Sequence, residues 1–342
     1  MRNWKRPPVR DEEPRMSKRD FSARPLAPQE RAAWDALAQA HGCVFDTSRW
    51  TEIFGPALRR IGIYDAGDRL RGGFCFYEQR KLGLRILRNP PYTPQIGPFF
   101  EPQANSPSTR TDERRAVAEA MAEYLAGAGA ALVSLGLSVG WTDCLPFFWR
   151  GWKVVPHYTY RMPLAGTEDD LAQRPSKQLR KHLRSLAVPE VAVAPLADAA
   201  DMVALVQETF ARQGMDLPPY TREILAAFPV ADDAYGCEIR VAGRVLAARY
   251  VIHDGATAFA IMGGHRRDER YNDAGALASW QTVLEARRRG LATFDFEGSV
   301  IPPIERFYRG FGGELTPRFT VHKAWLPIEL GLHLHPRFRS RF

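Results

Sequence analysis

Cysteine is scarce in this chain. Cys43, Cys75, Cys144 and Cys237 are the only four in 342 residues, and no two of them form a C-x-x-C pair. So few and so scattered, they exclude a disulfide scaffold and a thiolate zinc site of the usual spacing. Reduced thiols, and with them a cytoplasmic setting, are the expectation. Long apolar runs are missing too: nothing approaches the roughly 18 consecutive apolar residues of a membrane span. The opening MRNWKRPPVRDEEPRMSKRD has no apolar centre and is not expected to act as a secretory signal. There is no G-x-x-x-x-G-K-[ST] loop and no H-E-x-x-H, so nothing in the sequence calls for a metal.

What is present has globular proportions. Hydrophobic residues make up 45% and charged residues 25%, and 342 residues suffice for two domains with their own cores. The net charge of +8 suits an anionic partner such as phosphate, nucleic acid or an acidic membrane surface. A basic enzyme with no nucleic-acid role fits the same number.

Residues 1–26 are charged and proline-bearing and are expected to form a flexible basic arm. A short helix should run from Pro28 to Gly42, followed by strands in ALRRIGIYDAG, RLRGGFCFYEQR and LGLRILR. The proline-rich PPYTPQIGPFF reads as a loop, and TDERRAVAEAMAEYLAGAG as a helix capped by Thr111. A buried strand, ALVSLGLSV, and an aromatic run, LPFFWRGWKVV, close the first half; Phe147, Phe148, Trp149 and Trp152 are expected in an interdomain core. The second half repeats the order: helix, three strands, the helix GALASWQTVLEARRRG, then the strand LATFDFEG. Such a repeat signals duplicated domains of α+β type with mixed, mostly antiparallel sheets. The expected division is 27–160 and 161–328, with a basic-aromatic tail at 329–342.

Phe294-Asp295-Phe296-Glu297 alternates rings and carboxylates as a strand requires, and Gly298 breaks it. Pro302-Pro303 then suit a helix start, and Gly312-Gly313 its end. A carboxylate pair at a strand's carboxyl end is a common place for a site. The alternative is structural: Glu297 as a helix cap and Asp295 paired with an arginine.

The segments PPYTPQIGP, SKQLRKHLRSL, TFARQG, GALASWQTVLEARRRGLATFDFEGS and IERFYRGFGGEL, in that order, resemble the FemAB-like, or BioF2-like, tandem GNAT acyltransferase family. The resemblance spans roughly residues 40–325. It implies two GNAT-like domains and the transfer of an amino acid or acyl group to an amine of a peptidoglycan or polysaccharide precursor. The implied donor is aminoacyl-tRNA or acyl-CoA, a co-substrate, with no bound cofactor. One departure bears on the choice. Ordinary GNAT enzymes present a Q/R-x-x-G-x-G/A turn to the pyrophosphate of coenzyme A. Here Arg270-Tyr271-Asn272-Asp273-Ala274-Gly275 puts Asp273 in place of the first glycine, and its charge opposes pyrophosphate.

Transfer from an activated donor needs positioning, an oxyanion partner and one proton acceptor. For the proton the candidates are Glu297 and Asp295. For the donor they are Arg306 and Arg309, three apart on a helix, with Tyr308, Asn272 and His265. Tyr92 and Gln95 lie in the loop that the resemblance places near the acceptor. Lys177, Arg180, Lys181 and Arg184 form a basic stripe, read either as a phosphate or tRNA track or as a solvated face. A second reading of the same fold is an acetyl-CoA-dependent N-acetyltransferase acting on a sugar amine or small molecule, and a third is a non-catalytic module that binds RNA or a membrane surface. The basic arm and the terminal HLHPRFRSRF would supply that peripheral contact.

Overall fold

The structure, a computed structural model, describes residues 21–298 and 301–334; the arm over 1–20 and the tail over 335–342 lie outside the described residues. The first half runs β1 (Phe21–Pro25), α1 (Arg31–His41), α2 (Ser48–Thr51), β2 (Leu58–Asp65), β3 (Leu70–Lys81), β4 (Leu84–Arg88), β5 (Phe99–Phe100), α3 (Pro107–Gly127), β6 (Leu132–Gly136), α4 (Leu145–Trp149) and β7 (Lys153–Pro163). The second runs α5 (Glu168–Gln173), α6 (Lys177–Ser185), β8 (Val191–Pro195), α7 (Ala199–Ala211), α8 (Thr221–Ala227), β9 (Ala234–Val241), β10 (Arg244–His253), β11 (Thr257–His265), α9 (Ala274–Arg288), β12 (Thr293–Asp295), α10 (Pro302–Arg309), β13 (Glu314–Ala324) and α11 (Leu326–Leu334). The α+β class and the repeated order are those of the sequence pattern.

Three local expectations are corrected. Phe21–Pro25, inside the expected arm, is a strand, because pairing with β2 over Phe21↔Asp65 to Pro25↔Ile61 satisfies its backbone. α3 begins at Pro107 rather than after Thr111, since the Ser106 side chain accepts from Thr109 N at 3.3 Å and Pro107 suits the first turn. In the aromatic run Phe147 and Trp152 are buried, but Phe148 and Trp149 face solvent. The five-residue α4 has only one inward face to fill.

The strands form one continuous sheet in the order β1-β2-β3-β4-β6-β13-β7-β12-β11-β10-β9-β8, with β5 on β3. Its parallel pairs are β4–β6 and β11–β12, equivalent positions in the two halves. The centre exchanges strands. β13, which ends the second half, pairs with β6 of the first, and β7, which ends the first, pairs with β12 of the second. The division at residue 160 therefore falls inside β7, which spans Lys153–Pro163.

One apolar cluster joins the halves. Phe45 meets Phe259 at 4.9 Å between ring centroids, Phe54 meets Tyr220 at 4.9 Å, and Trp50 meets Phe228 at 5.8 Å. A second cluster lies under α3 with Phe74, Met121 and Leu135, and a third under α9 and α10 with Trp280, Phe294 and Phe311. This packing fixes the strand ends where the candidate residues gather.

Candidate functional site

β11 and β12 run parallel for three pairs, Thr257↔Thr293 to Phe259↔Asp295, and then part. Between the pairs Ile252↔Phe259 and Tyr250↔Met262, β11 carries one more residue than β10, a bulge that bends it away. β12 stops at Asp295, and Phe296 N turns to the carbonyl of Tyr160 on β7. β11 runs on to His265 beyond the last pair, so the two strands part at their carboxyl ends. In the first half the matching gap is filled by the chain itself. Asn89 Oδ1 accepts from Gly136 N, Ile96 N donates to Gly136 O, and Ser138 N donates to Gly97 O.

Glu297 sits just past the parting with φ 61°, a left-handed conformation that costs a non-glycine residue about 1–2 kcal/mol. Gly298 follows at φ 43°, where an added Cβ would stand 2.2 Å from the Tyr158 carbonyl oxygen, so this turn requires glycine. Glu297 caps no helix among the described residues: α10 starts after Ile301 with no side-chain cap. The capping reading is thereby corrected.

The Glu297 residue is partly exposed, yet its Oε1 is sealed from solvent and accepts no hydrogen bond. Burial pushes its carboxyl well above the usual carboxylate range, and the neighbouring Asp295 adds to the shift. The charges of Arg318, Arg161 and Arg249 oppose it. Asp295 is buried and held: its Oδ1 accepts from Thr159 Oγ1 and from Glu297 N, and Arg161 Nε lies 3.4 Å from its Oδ2. Burial raises this carboxyl as well, against those hydrogen bonds. The two acids thus differ: Asp295 is partnered, and Glu297 keeps an oxygen without a hydrogen bond.

Arg249 and Tyr308 complete the cluster. Arg249, nine-tenths buried on β10, donates through Nη2 to Tyr308 Oη at 2.9 Å. A Cβ on Gly263 would stand 2.5 Å from Arg249 Nη1, so glycine makes room for the guanidinium beside the bulge. Neither Arg249 nor Arg161 was among the expected site residues. A usable signal existed for Arg249, a charge inside the otherwise apolar run RVLAARYVIH.

The other expected residues scatter. Arg306 and Arg309 are exposed on α10, and Arg309 Nε pairs with Glu305 at 3.5 Å. Asn272 is exposed ahead of α9. His265 ends β11 beside Gly275 of α9, and burial holds its imidazole below the ordinary value, with Arg212 and Arg267 adding to the effect. Asp273 precedes α9 with its Oδ1 3.1 Å from His182 Nδ1 of α6. Lys177, Lys181 and Arg184 are exposed on α6, but Arg180 Nη1 is occupied by the carbonyls of Gln173 and Pro175. Tyr92 Oη bonds Thr221 Oγ1 at 2.7 Å across the seam between the halves.

A cavity of about 670 Å³ opens between the halves on the other side of Arg161. Its lining includes Gln95, Arg110, Arg114, Ser138, Arg161 and Thr257. Gln95 is buried and its Oε1 accepts from Val139 N at 2.8 Å. The stretch Gly136-Leu137-Ser138-Val139-Gly140 has G-x-S-x-G spacing, but it leaves β6 into a loop instead of a strand-to-helix turn. Ser138 Oγ donates to Gly97 O, and among the described residues no histidine or carboxylate bonds it. That argues against a nucleophile. Among the described residues, no group of His, Cys, Asp and Glu could hold a metal ion.

The family model described as acetyltransferase (GNAT) domain matches residues 173–303. Among solved structures, FemX superposes with a TM-score of 0.65 at 13% identity, covering 91% of this chain and 99% of FemX. The C-terminal domain of a putative lysylphosphatidylglycerol synthetase from Agrobacterium fabrum matches with a TM-score of 0.51 at 12% identity, over 80% of this chain and 87% of that one. A tandem GNAT protein from the clavulanic acid biosynthesis pathway matches with a TM-score of 0.51 at 14% identity, over 88% and 97%. A comparison with curated protein sequences gives no match. The chain has the FemX-like tandem GNAT fold.

Proposed function

We propose that this FemX-like tandem GNAT chain transfers an acyl or aminoacyl group from an activated ester or thioester to an amine of a cell-envelope precursor. The observation that carries the reading is the sealed, unpartnered Oε1 of Glu297, just past the point where β11 and β12 part. The matched acetyltransferase segment, residues 173–303, includes this point and both acids. In the proposed step the acceptor amine attacks the donor carbonyl, and a C–N bond forms while the C–O or C–S bond breaks. Glu297 takes the proton released by the amine and returns it to the leaving oxygen or sulfur. Its raised proton affinity, which burial and the neighbouring Asp295 cause, suits a group that takes up that proton. Arg249, buried and held by Tyr308, is the positive group assigned to the developing oxyanion. The acceptor would enter through the cavity lined by Arg110, Arg114 and Gln95, which reaches Asp295 by way of Arg161.

For the donor, aminoacyl-tRNA is preferred over acyl-CoA. Asp273 stands where pyrophosphate would meet α9, and the exposed cations of α6 offer a phosphate track. The A. fabrum relative's name, which joins a lysyl group to phosphatidylglycerol, supports the aminoacyl form. The matched family's description favours the second reading, acetyl-CoA-dependent N-acetylation of a sugar amine or small molecule. A cytoplasmic setting, no bound cofactor and no metal belong to both readings. Melting the full chain with coenzyme A, charged tRNA or a diphosphate-linked amine precursor distinguishes them. Charged tRNA and the precursor are expected to raise Tm, and coenzyme A is not. Micromolar acetyl-CoA binding by calorimetry would overturn the donor preference.

A further inference from the structure

α11 has two unlike sides. Glu329 points inward: its Oε2 bonds His322 Nε2 at 3.0 Å, and its Oε1 pairs with Lys153 at the start of β7. Trp325 N donates to Ala131 O at 3.0 Å and fixes the helix start. The outward side is apolar. Leu326, Leu330 and Leu334 are 71%, 54% and 82% exposed, four residues apart along one stripe, and Trp325 ahead of them is more than half exposed.

α4 exposes more apolar surface at the same end of the molecule. Phe148 and Trp149 both stand more than half exposed there. Lys323, at the end of β13, reaches the carbonyl of Arg150, the residue that ends α4, at 3.2 Å. The side chains of Arg150 and Lys323 are exposed, while the nearby carboxylates are engaged, Glu329 by Lys153 and Asp143 by Arg115. The end is therefore apolar with a cationic rim. Beyond Leu334 the sequence continues HPRFRSRF, three further arginines and two phenylalanines.

Leucines in a stripe, aromatic rings beside them and cations around them are the chemistry of a helix lying in a lipid interface. Leucine enters the acyl boundary, tryptophan sits at headgroup depth, and each cation near an anionic surface adds attraction. Among the described residues no helix is long and apolar enough to cross a membrane, which leaves lying on the surface. We propose that the end of the molecule formed by α4 and α11 docks on an anionic lipid surface, with α11 flat in the interface. This docking does not depend on the transfer reading.

The test sediments the full chain with phosphatidylglycerol vesicles and with phosphatidylcholine vesicles, at low and at physiological salt. Binding to phosphatidylglycerol that weakens with salt, and weaker binding to phosphatidylcholine, is expected. Leu326→Glu with Leu330→Glu should lower the partition at least about tenfold at unchanged Tm, since both side chains already face water. Should that pair unfold, Phe148→Ser with Trp149→Ser on α4 is expected to lower binding as well. Absence of phosphatidylglycerol binding by the unaltered chain overturns the proposal, and so does full binding by folded variants. Light scattering supplies the remaining outcome. A dimer that the leucine variants convert to monomer, without vesicle binding, assigns the face to a second copy and overturns the lipid reading.

Discussion

At the residue scale, two acids two positions apart meet different environments, and their substitutions should separate. Glu297→Gln keeps the shape and removes the proton acceptor, so turnover should fall roughly 100-fold or more with the fold intact. Asp295→Asn leaves Arg161 without its carboxylate and is expected to lower Tm, with activity following the folded fraction. Melts and initial rates on the same preparations decide; full activity in Glu297→Gln removes the carboxylate from the mechanism. Asp46 allows a pH test away from the site. It is fully buried, accepts from Cys43 N and Gly97 N, and burial raises its carboxyl to about 6 from an ordinary 3.8. A raised carboxyl favours the folded state while protonated. Its contribution is therefore complete below about pH 4 and lost as pH rises through about 6, by something like 3 kcal/mol. Asp46→Asn should be less stable overall, because one oxygen acceptor is gone, yet lose less Tm between pH 4.5 and 7.5 than the unaltered chain. Equal slopes in the two proteins would refute the assignment.

At the element scale, α6 divides its cations by job. Lys177, Lys181 and Arg184 project into solvent, whereas Arg180 holds the carbonyls of Gln173 and Pro175 where α5 passes into α6. Reversing Lys177 and Lys181 to glutamate should weaken binding of an anionic ligand such as tRNA, steepest at low salt, and leave Tm nearly unchanged. Arg180→Glu should instead lower Tm, because it breaks the turn. If the double reversal leaves tRNA affinity untouched in a filter-binding assay, the stripe is only a solvated face. The helix periodicity showed the stripe; the division of labour within it depended on which carbonyls the tertiary turn left open.

At the scale of the whole molecule, strand exchange at the sheet centre ties the halves together. β13 lies between β6 and β7, and the aromatic cluster of Phe45, Trp50 and Phe259 crosses the seam. Unfolding in urea should accordingly be one transition, with tryptophan fluorescence and far-UV circular dichroism superimposable. Separated transitions would show that residues 27–160 and 161–328 behave as independent domains. The seam also explains Tyr92. Its loop was expected to contact substrate, and the hydroxyl is instead held by Thr221 of the opposite half.

The sequence alone determined most of the elements and their duplicated order, because strand alternation, helix periodicity and glycine stops are local properties; β1, which exists by pairing with β2, is an exception that packing decided. It also marked Asp295 and Glu297 as a pair at a strand end, since alternation put both carboxylates on view. Only the tertiary structure decided which acid is free. Thr159 and Arg161, more than 130 positions away in the chain, take up Asp295, and no local pattern encodes that meeting. The same holds for Arg249, whose charge acts on Glu297, and for the exchanged central strands. These are matters of register between distant segments, set by where a bulge in β11 and a shared apolar seam bring the halves together.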